Sequence, residues 1–118
     1  MEWSSWKKLA IKKGYYEKNI PVYDGPAIYQ LGIGNPSGGA VTTKYLGRAD
    51  NLRVRMLTYA RDGSHLCDEV INPRLNQGYA LYYRYYKVKT LERVRVLEKK
   101  HLLAKNYDWN IQNNTRLL

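Results

Sequence analysis

Phenylalanine is absent from this chain, and twelve tyrosines and three tryptophans carry its aromatic content. Its aromatic packing must therefore use rings that bring a hydroxyl or an indole N–H with them. Cysteine is nearly absent too, since Cys67 stands alone. That excludes a disulfide framework and zinc-finger spacing. No apolar run is long enough to cross a membrane, and the lysines near the N-terminus lack the apolar segment of a signal peptide. An intracellular, cytoplasmic protein is expected. Acidic residues are few: 10 stand against 20 Lys and Arg, giving a net charge of +10 and a pI of about 9.7. The bland reading is a basic protein with no charge-driven partner. The functional one is attraction to a polyanion, because basic residues recurring along a chain are the footprint of nucleic-acid binding. At 118 residues one domain with a modest core is expected.

The chain is organised around residues 44–61, KYLGRADNLRVRMLTYAR. Val41, Thr43 and Tyr45 alternate with Thr42, Lys44 and Leu46, and β-branched and aromatic residues suit a pleated surface. Gly47 breaks that pattern, so the strand is expected to end there. Asp50 or Asn51 can cap a helix on which Leu52, Met56 and Ala60 share one stripe. Arg55 and Tyr59 are four apart and lie together at its edge. A tyrosine ending a strand then faces a turn with Arg48 and a helix with Arg55 and Tyr59, a cationic, hydroxyl-lined pocket suited to a phosphate.

Elsewhere the signals are local. Ser4 or Ser5 can cap a helix to about residue 13, with Trp3, Trp6, Leu9 and Ala10 at helical spacing. Lys7, Lys8 and Lys12 lie mostly off that stripe, either solvated or touching phosphates. Residues 27–33 alternate, with Ala27, Tyr29, Leu31 and Ile33 on one side and Ile28 and Gln30 on the other. With residues 41–46 they predict a hairpin closed by residues 34–39. This loop lacks the lysine and hydroxyl residue of a P-loop. Residues 65–71 predict a short helix stopped before Pro73. His65 and Cys67 have no third partner for nucleophilic chemistry and read as structural. In the strand at residues 79–88, Leu81, Tyr83 and Tyr85 share one face. Tyr82, Arg84 and Tyr86 share the other, which faces solvent or nucleic acid. Thr90 caps a helix to about residue 105, with Leu91, Val94, Leu97, Leu102 and Ala104 as its apolar stripe. Glu98 falls inside that stripe, where a carboxylate needs compensation. A metal ion or a salt bridge, for instance to Arg55, would supply it. Residues 108–111 predict a strand or turn docking back on the body. Asn110 there either orients a site group or satisfies local backbone.

Tyr45-Leu46-Gly47, followed by Arg48 and Asn51-Leu52-Arg53-Val54-Arg55, resembles the second motif of the GIY-YIG nuclease family. Ala27-Ile28-Tyr29 fits the first motif, and Glu98 and Asn110 stand where the family places an acidic residue and an asparagine. The resemblance implies an α/β (α+β) sandwich, a three-stranded antiparallel sheet flanked by helices. It covers about residues 26–110, the motif-bearing core, with residues 1–25 read as N-terminal helix and connection and 111–118 as a tail. It also implies a metal-dependent DNA endonuclease using one divalent cation, Mg²⁺ or Mn²⁺, and no organic cofactor. Tyr45 would then be the general base, Tyr29 its supporting hydroxyl and Arg55 the transition-state cation. Arg48 would bind phosphate, Tyr59 would lie near the scissile group, Glu98 would hold the metal and Asn110 would position groups around it. Lys7, Lys8, Lys12 and Arg84 are further candidate DNA contacts. Family members include repair, homing, restriction and structure-specific nucleases. The alternative is a non-catalytic basic nucleic-acid-binding module on the same fold.

Overall fold

The computed structural model describes residues 2–11, 19–35, 39–61 and 63–110. Four strands form one antiparallel sheet in the order β1-β4-β2-β3: β1 (Lys7–Lys8), β2 (Ala27–Gly34), β3 (Thr42–Ala49) and β4 (Ala80–Lys87). Helix α1 (Leu52–Ala60) packs on one face and α3 (Leu91–Ala104) on the other. The fold is thus the expected α+β sandwich, with a fourth strand added.

Period-two alternation sets the two cores. Ala27, Tyr29, Leu31, Ile33, Ala49, Leu81 and Tyr83 pack with Leu52, Met56, Tyr59 and Ala60 of α1. Ile28, Leu46, Tyr86 and Val88 pack with Val94 and Leu97 of α3 and with Tyr107. Both helix starts are capped by the residue type that favours it. The Asn51 side chain accepts from the Val54 N–H and the Thr90 side chain from the Arg93 N–H. Two further N–H groups of α1 donate to chain that precedes β2: Leu52 to the Gly25 carbonyl and Arg53 to the Tyr23 carbonyl. This fixes the helix over the sheet.

Four expectations are corrected. The N-terminal segment is extended rather than helical over residues 2–11, and Lys12 and Lys13 fall outside the described residues. The Ser4 N–H donates to the Tyr85 carbonyl and the Leu9 N–H to the Leu81 carbonyl, so β4 supplies the hydrogen bonds a helix would have made internally. Trp3 and Trp6 then close on Arg84, with ring centroids 5.1 and 4.5 Å from its guanidinium carbon. Second, β3 runs through Gly47 to Ala49. Glycine is needed there because Tyr29, its cross-strand partner, lays its ring over that position. A Cβ on Gly47 would lie 2.5 Å from Tyr29 Cζ.

Third, Pro73 does not stop the helix. A π-helical turn (Cys67–Ile71) leads directly into α2 (Asn72–Asn76), placing Pro73 in a first turn where its missing N–H costs nothing. Fourth, the apolar stripe of α3 is narrower than expected: Val94 and Leu97 are buried, Leu102 is partly buried, and Leu91 and Ala104 are exposed. His101 shares a 2.7 Å hydrogen bond with the Tyr86 hydroxyl on that buried side.

After α3 the chain docks back as expected, as a helical turn over residues 108–110 rather than a strand. It covers the free edge of β3. Asn110 Oδ1 accepts from the Leu46 N–H at 2.8 Å, and Asn110 Nδ2 donates to the Leu46 carbonyl at 2.9 Å. Lys44 Nζ pairs with Asp108 at 3.0 Å. One side-chain amide does at this edge what a neighbouring strand would do.

Candidate active site

Tyr29 enters from the centre of β2, Tyr45 from β3 and Tyr59 from α1. The register places Tyr29 opposite Gly47, two residues beyond Tyr45, so the Tyr29 and Tyr45 rings meet with centroids 6.1 Å apart. The Tyr29 and Tyr59 hydroxyls share a 2.7 Å hydrogen bond inside the core. Tyr29 is 0% exposed and Tyr59 2%, whereas Tyr45 is half-buried. Of the three, Tyr45 and Tyr59 reach a pocket of about 300 Å³, whose wall also carries Arg55, Thr58, Ser64 and His65.

Burial raises the pKa of all three tyrosines above the ordinary 10. For Tyr45 the next largest influence is the Glu98 charge, which raises it further. Arg55 and hydrogen bonding from Tyr29 and Tyr59 act the other way. Tyr29, fully enclosed, is pushed well up, first by burial and then by its neighbouring tyrosines. Tyr45 is thus a pocket-facing hydroxyl on which Arg55, Tyr29 and Tyr59 oppose burial and the Glu98 charge, with its pKa left raised on balance. Arg55 is exposed. Desolvation works against its charge, but the three tyrosines and Asp50 outweigh that, and its pKa is raised.

Glu98 sits at the margin of the buried stripe of α3, with its side chain 26% exposed. Its nearest cation is Arg48 rather than the expected Arg55, and the separation of 3.7 Å is that of an ion pair, too long for a hydrogen bond. Burial raises the carboxyl, while Arg48 and Arg55 pull it down. The register explains the arrangement: Arg48 points to the α3 face and Tyr45 to the α1 face, and Glu98 acts electrostatically on both.

The remaining candidates separate. Asn110 has both amide ends on Leu46, so it holds the backbone that joins Tyr45 to Gly47. Lys7 and Lys8 lie on β1, at the opposite edge of the sheet from β3. Lys12 is outside the described residues. Arg84 Nε donates to Gln30 Oε1 at 2.6 Å, Gln30 Nε2 donates to the Tyr107 hydroxyl at 3.0 Å, and Trp3 and Trp6 cover the guanidinium. Arg84 thus serves the packing of the α3 face. His65, read from the sequence as structural, lies on the wall of this pocket. It follows a Gly-Ser turn only six residues after Tyr59, a spacing that no local rule links to Tyr45.

Among the described residues no three His, Cys, Asp or Glu side chains cluster as a metal cage. Glu98 is a single carboxylate whose charge reaches Tyr45, and one carboxylate suits a hard cation that keeps most of its waters and takes its other ligands from substrate. The residues present fit Mg²⁺ or Mn²⁺ in that sense, with Glu98 as the ligand the protein offers.

Residues 1–117 match the family described as GIY-YIG domain-containing protein. The chain is 23% identical over 141 aligned positions to the protein EFFECTOR OF TRANSCRIPTION 2 of Arabidopsis thaliana, covering 96% of this chain and 29% of that protein. This chain thus spans under a third of that relative's length. No solved structure matches it. No helix among the described residues is long and apolar enough to cross a membrane.

Proposed function

Because the chain belongs to the GIY-YIG domain family, a nuclease family, we propose that it hydrolyses phosphodiester bonds in DNA as a divalent-metal-dependent endonuclease. One observation carries the reading: Tyr45, Arg55 and Tyr59, from a strand and a helix, line a single pocket of about 300 Å³. A phosphodiester entering it meets the Arg55 guanidinium, which binds a non-bridging oxygen and stabilises the extra charge of the transition state. Tyr45 takes the proton of the attacking water. Tyr29 and Tyr59 orient that hydroxyl through their hydrogen bonds, and the buried Tyr29–Tyr59 pair keeps them in place. Arg48, on the α3 face beside Glu98, would bind the DNA backbone outside this pocket, and Asn110 positions Tyr45 through the Leu46 backbone. Glu98 would hold Mg²⁺ or Mn²⁺. A cation there would offset the carboxylate charge that now raises Tyr45 and would stabilise charge on the phosphate under attack. Lys7 and Lys8 contribute longer-range attraction to the DNA backbone.

A second reading, a non-catalytic nucleic-acid-binding domain, is favoured by the Arabidopsis relative, whose name describes an effector of transcription. One experiment separates the two. The protein is incubated with plasmid and with branched DNA, with Mg²⁺ or Mn²⁺ and then with chelator, and duplex binding is measured against salt. Cleavage that chelator abolishes supports the nuclease. Binding with a log–log salt slope of roughly −0.9 per phosphate neutralised, and no cleavage under any condition, supports the binding domain.

A further inference from the structure

We propose that His65 is a catalytic residue of this site, the general acid that protonates the leaving oxygen. The inference rests on the nuclease reading above and adds a residue to it.

His65 shares the pocket wall with Tyr45, Arg55 and Tyr59 but comes from a third element. Its backbone is held firmly. The Gly63 N–H donates to the Thr58 carbonyl, which fastens the turn to the end of α1. Ser64 then caps the next helical segment: its Oγ accepts from the Leu66 N–H at 3.2 Å and its carbonyl from the Cys67 N–H at 3.0 Å. Leu66 and Cys67 are buried, and the Cys67 thiol donates to the Tyr59 carbonyl at 3.7 Å. His65 is therefore an exposed residue of an anchored turn on the pocket wall. Its counterpart His101 is engaged with Tyr86. Among the described residues nothing engages the His65 ring. The charged and titratable groups around it are Arg55 and Tyr59 from α1, Tyr45 from β3, and Asp68 and Glu69 on its own helical segment.

In-line displacement at phosphorus puts the attacking and leaving oxygens at opposite ends of the phosphate, so base and acid must come from different walls. As the water oxygen bonds to phosphorus, Tyr45 takes its proton. As the P–O bond to the sugar breaks, the leaving alkoxide takes a proton from the His65 imidazolium. The products are a phosphate monoester and a sugar hydroxyl. Tyr45 then releases one proton to solvent and His65 regains one. Histidine suits this task because it gives and takes protons near neutral pH.

The test compares the parent with His65→Gln on two substrates: DNA and the p-nitrophenyl ester of thymidine 5′-phosphate, whose leaving group departs without a proton. On DNA the variant should lose about 10²–10⁴ in kcat. Its kcat/KM should keep rising with pH where the parent's levels off. On the ester the variant should stay within about threefold of the parent. If the ester is too small to bind, the pH profile on DNA decides. Equal rates on DNA, profiles of the same shape, or equal losses on both substrates would overturn the proposal. A parent that cleaves neither substrate overturns the nuclease reading and this one with it. Unimpaired cleavage by Tyr45→Phe beside a slowed His65→Gln would remove only the Tyr45 base.

Discussion

Both faces of the sheet are packed with tyrosine, and they use it in opposite ways. On the α3 face the Tyr86 and Tyr107 hydroxyls end on structural partners, Tyr86 on His101 and Tyr107 on Gln30. Tyr86 is pushed up to about 12, first by burial and then by Tyr107. On the α1 face Tyr29 and Tyr59 bond to each other, and their hydrogen bonds to Tyr45 partly oppose the burial and Glu98 charge that raise it, where Tyr45 opens to the pocket beside Arg55. Tyrosine is thus packing material on one side and candidate chemistry on the other. The difference lies in what the hydroxyl meets, since the rings are the same.

The sharpest test of that contrast is Glu98→Gln, which keeps the shape of the side chain and removes its charge. If the carboxylate serves the α1-face chemistry from its place on α3, cleavage should fall by more than about 10³-fold at every metal concentration. DNA binding and the melting temperature should be kept. A destabilised but active variant would instead make Glu98 a mere partner of Arg48. Next in size is a matched pair. Tyr45→Phe should retain fold and binding while lowering cleavage about 10²–10⁴-fold. Tyr86→Phe should leave cleavage alone and cost about 1 kcal/mol in a denaturant titration, the worth of one hydrogen bond. Comparable cleavage by the two variants would erase the distinction between the faces.

Smaller effects probe how the site is held. Gly47→Ala would press a methyl group onto the Tyr29 ring. It should cost about 1–3 kcal/mol of stability and slow cleavage by displacing the Tyr29 hydroxyl. Asn110→Ala would leave the Leu46 N–H and carbonyl without their partner. A loss of about 1–3 kcal/mol is expected, with cleavage impaired less than in Tyr45→Phe. An Asn110→Ala protein as stable as the parent would show that water replaces the amide at this edge.

The smallest effect concerns His101, whose pKa is lowered from 6.5 first by burial and then by the Lys100 charge. The folded protein binds this proton less readily than the unfolded chain. The stability due to neutral His101 is therefore complete above the unfolded value of 6.5 and is lost as pH falls through the lowered one. Melting temperatures below neutrality should drop further in the parent than in His101→Gln. Parallel curves would place the acid sensitivity elsewhere.

Local chemistry determined much of this protein. The alternation in residues 27–33 and 79–88 set the two faces, Asn51 and Thr90 set where α1 and α3 begin, and helical spacing put Arg55 with Tyr59. The motif residues Tyr29, Tyr45, Arg48, Arg55, Glu98 and Asn110 were legible as a set. Each of these signals lies within a few residues, where backbone geometry fixes which side chains share a face. What only the tertiary structure decided depends on partners far along the chain. The tryptophan spacing near the N-terminus read as a helix, but β4, some eighty residues away, supplies the hydrogen bonds that make it a strand. Gly47 read as a break because the ring it accommodates belongs to another strand. Glu98 found Arg48 rather than Arg55 because strand pleating turns Arg48 to the α3 face, whereas Arg55 is carried by α1 on the other face of the sheet. His65 joined Tyr45 because a capped turn, fastened to α1 by Gly63 and Cys67, brings two strangers in sequence to one pocket.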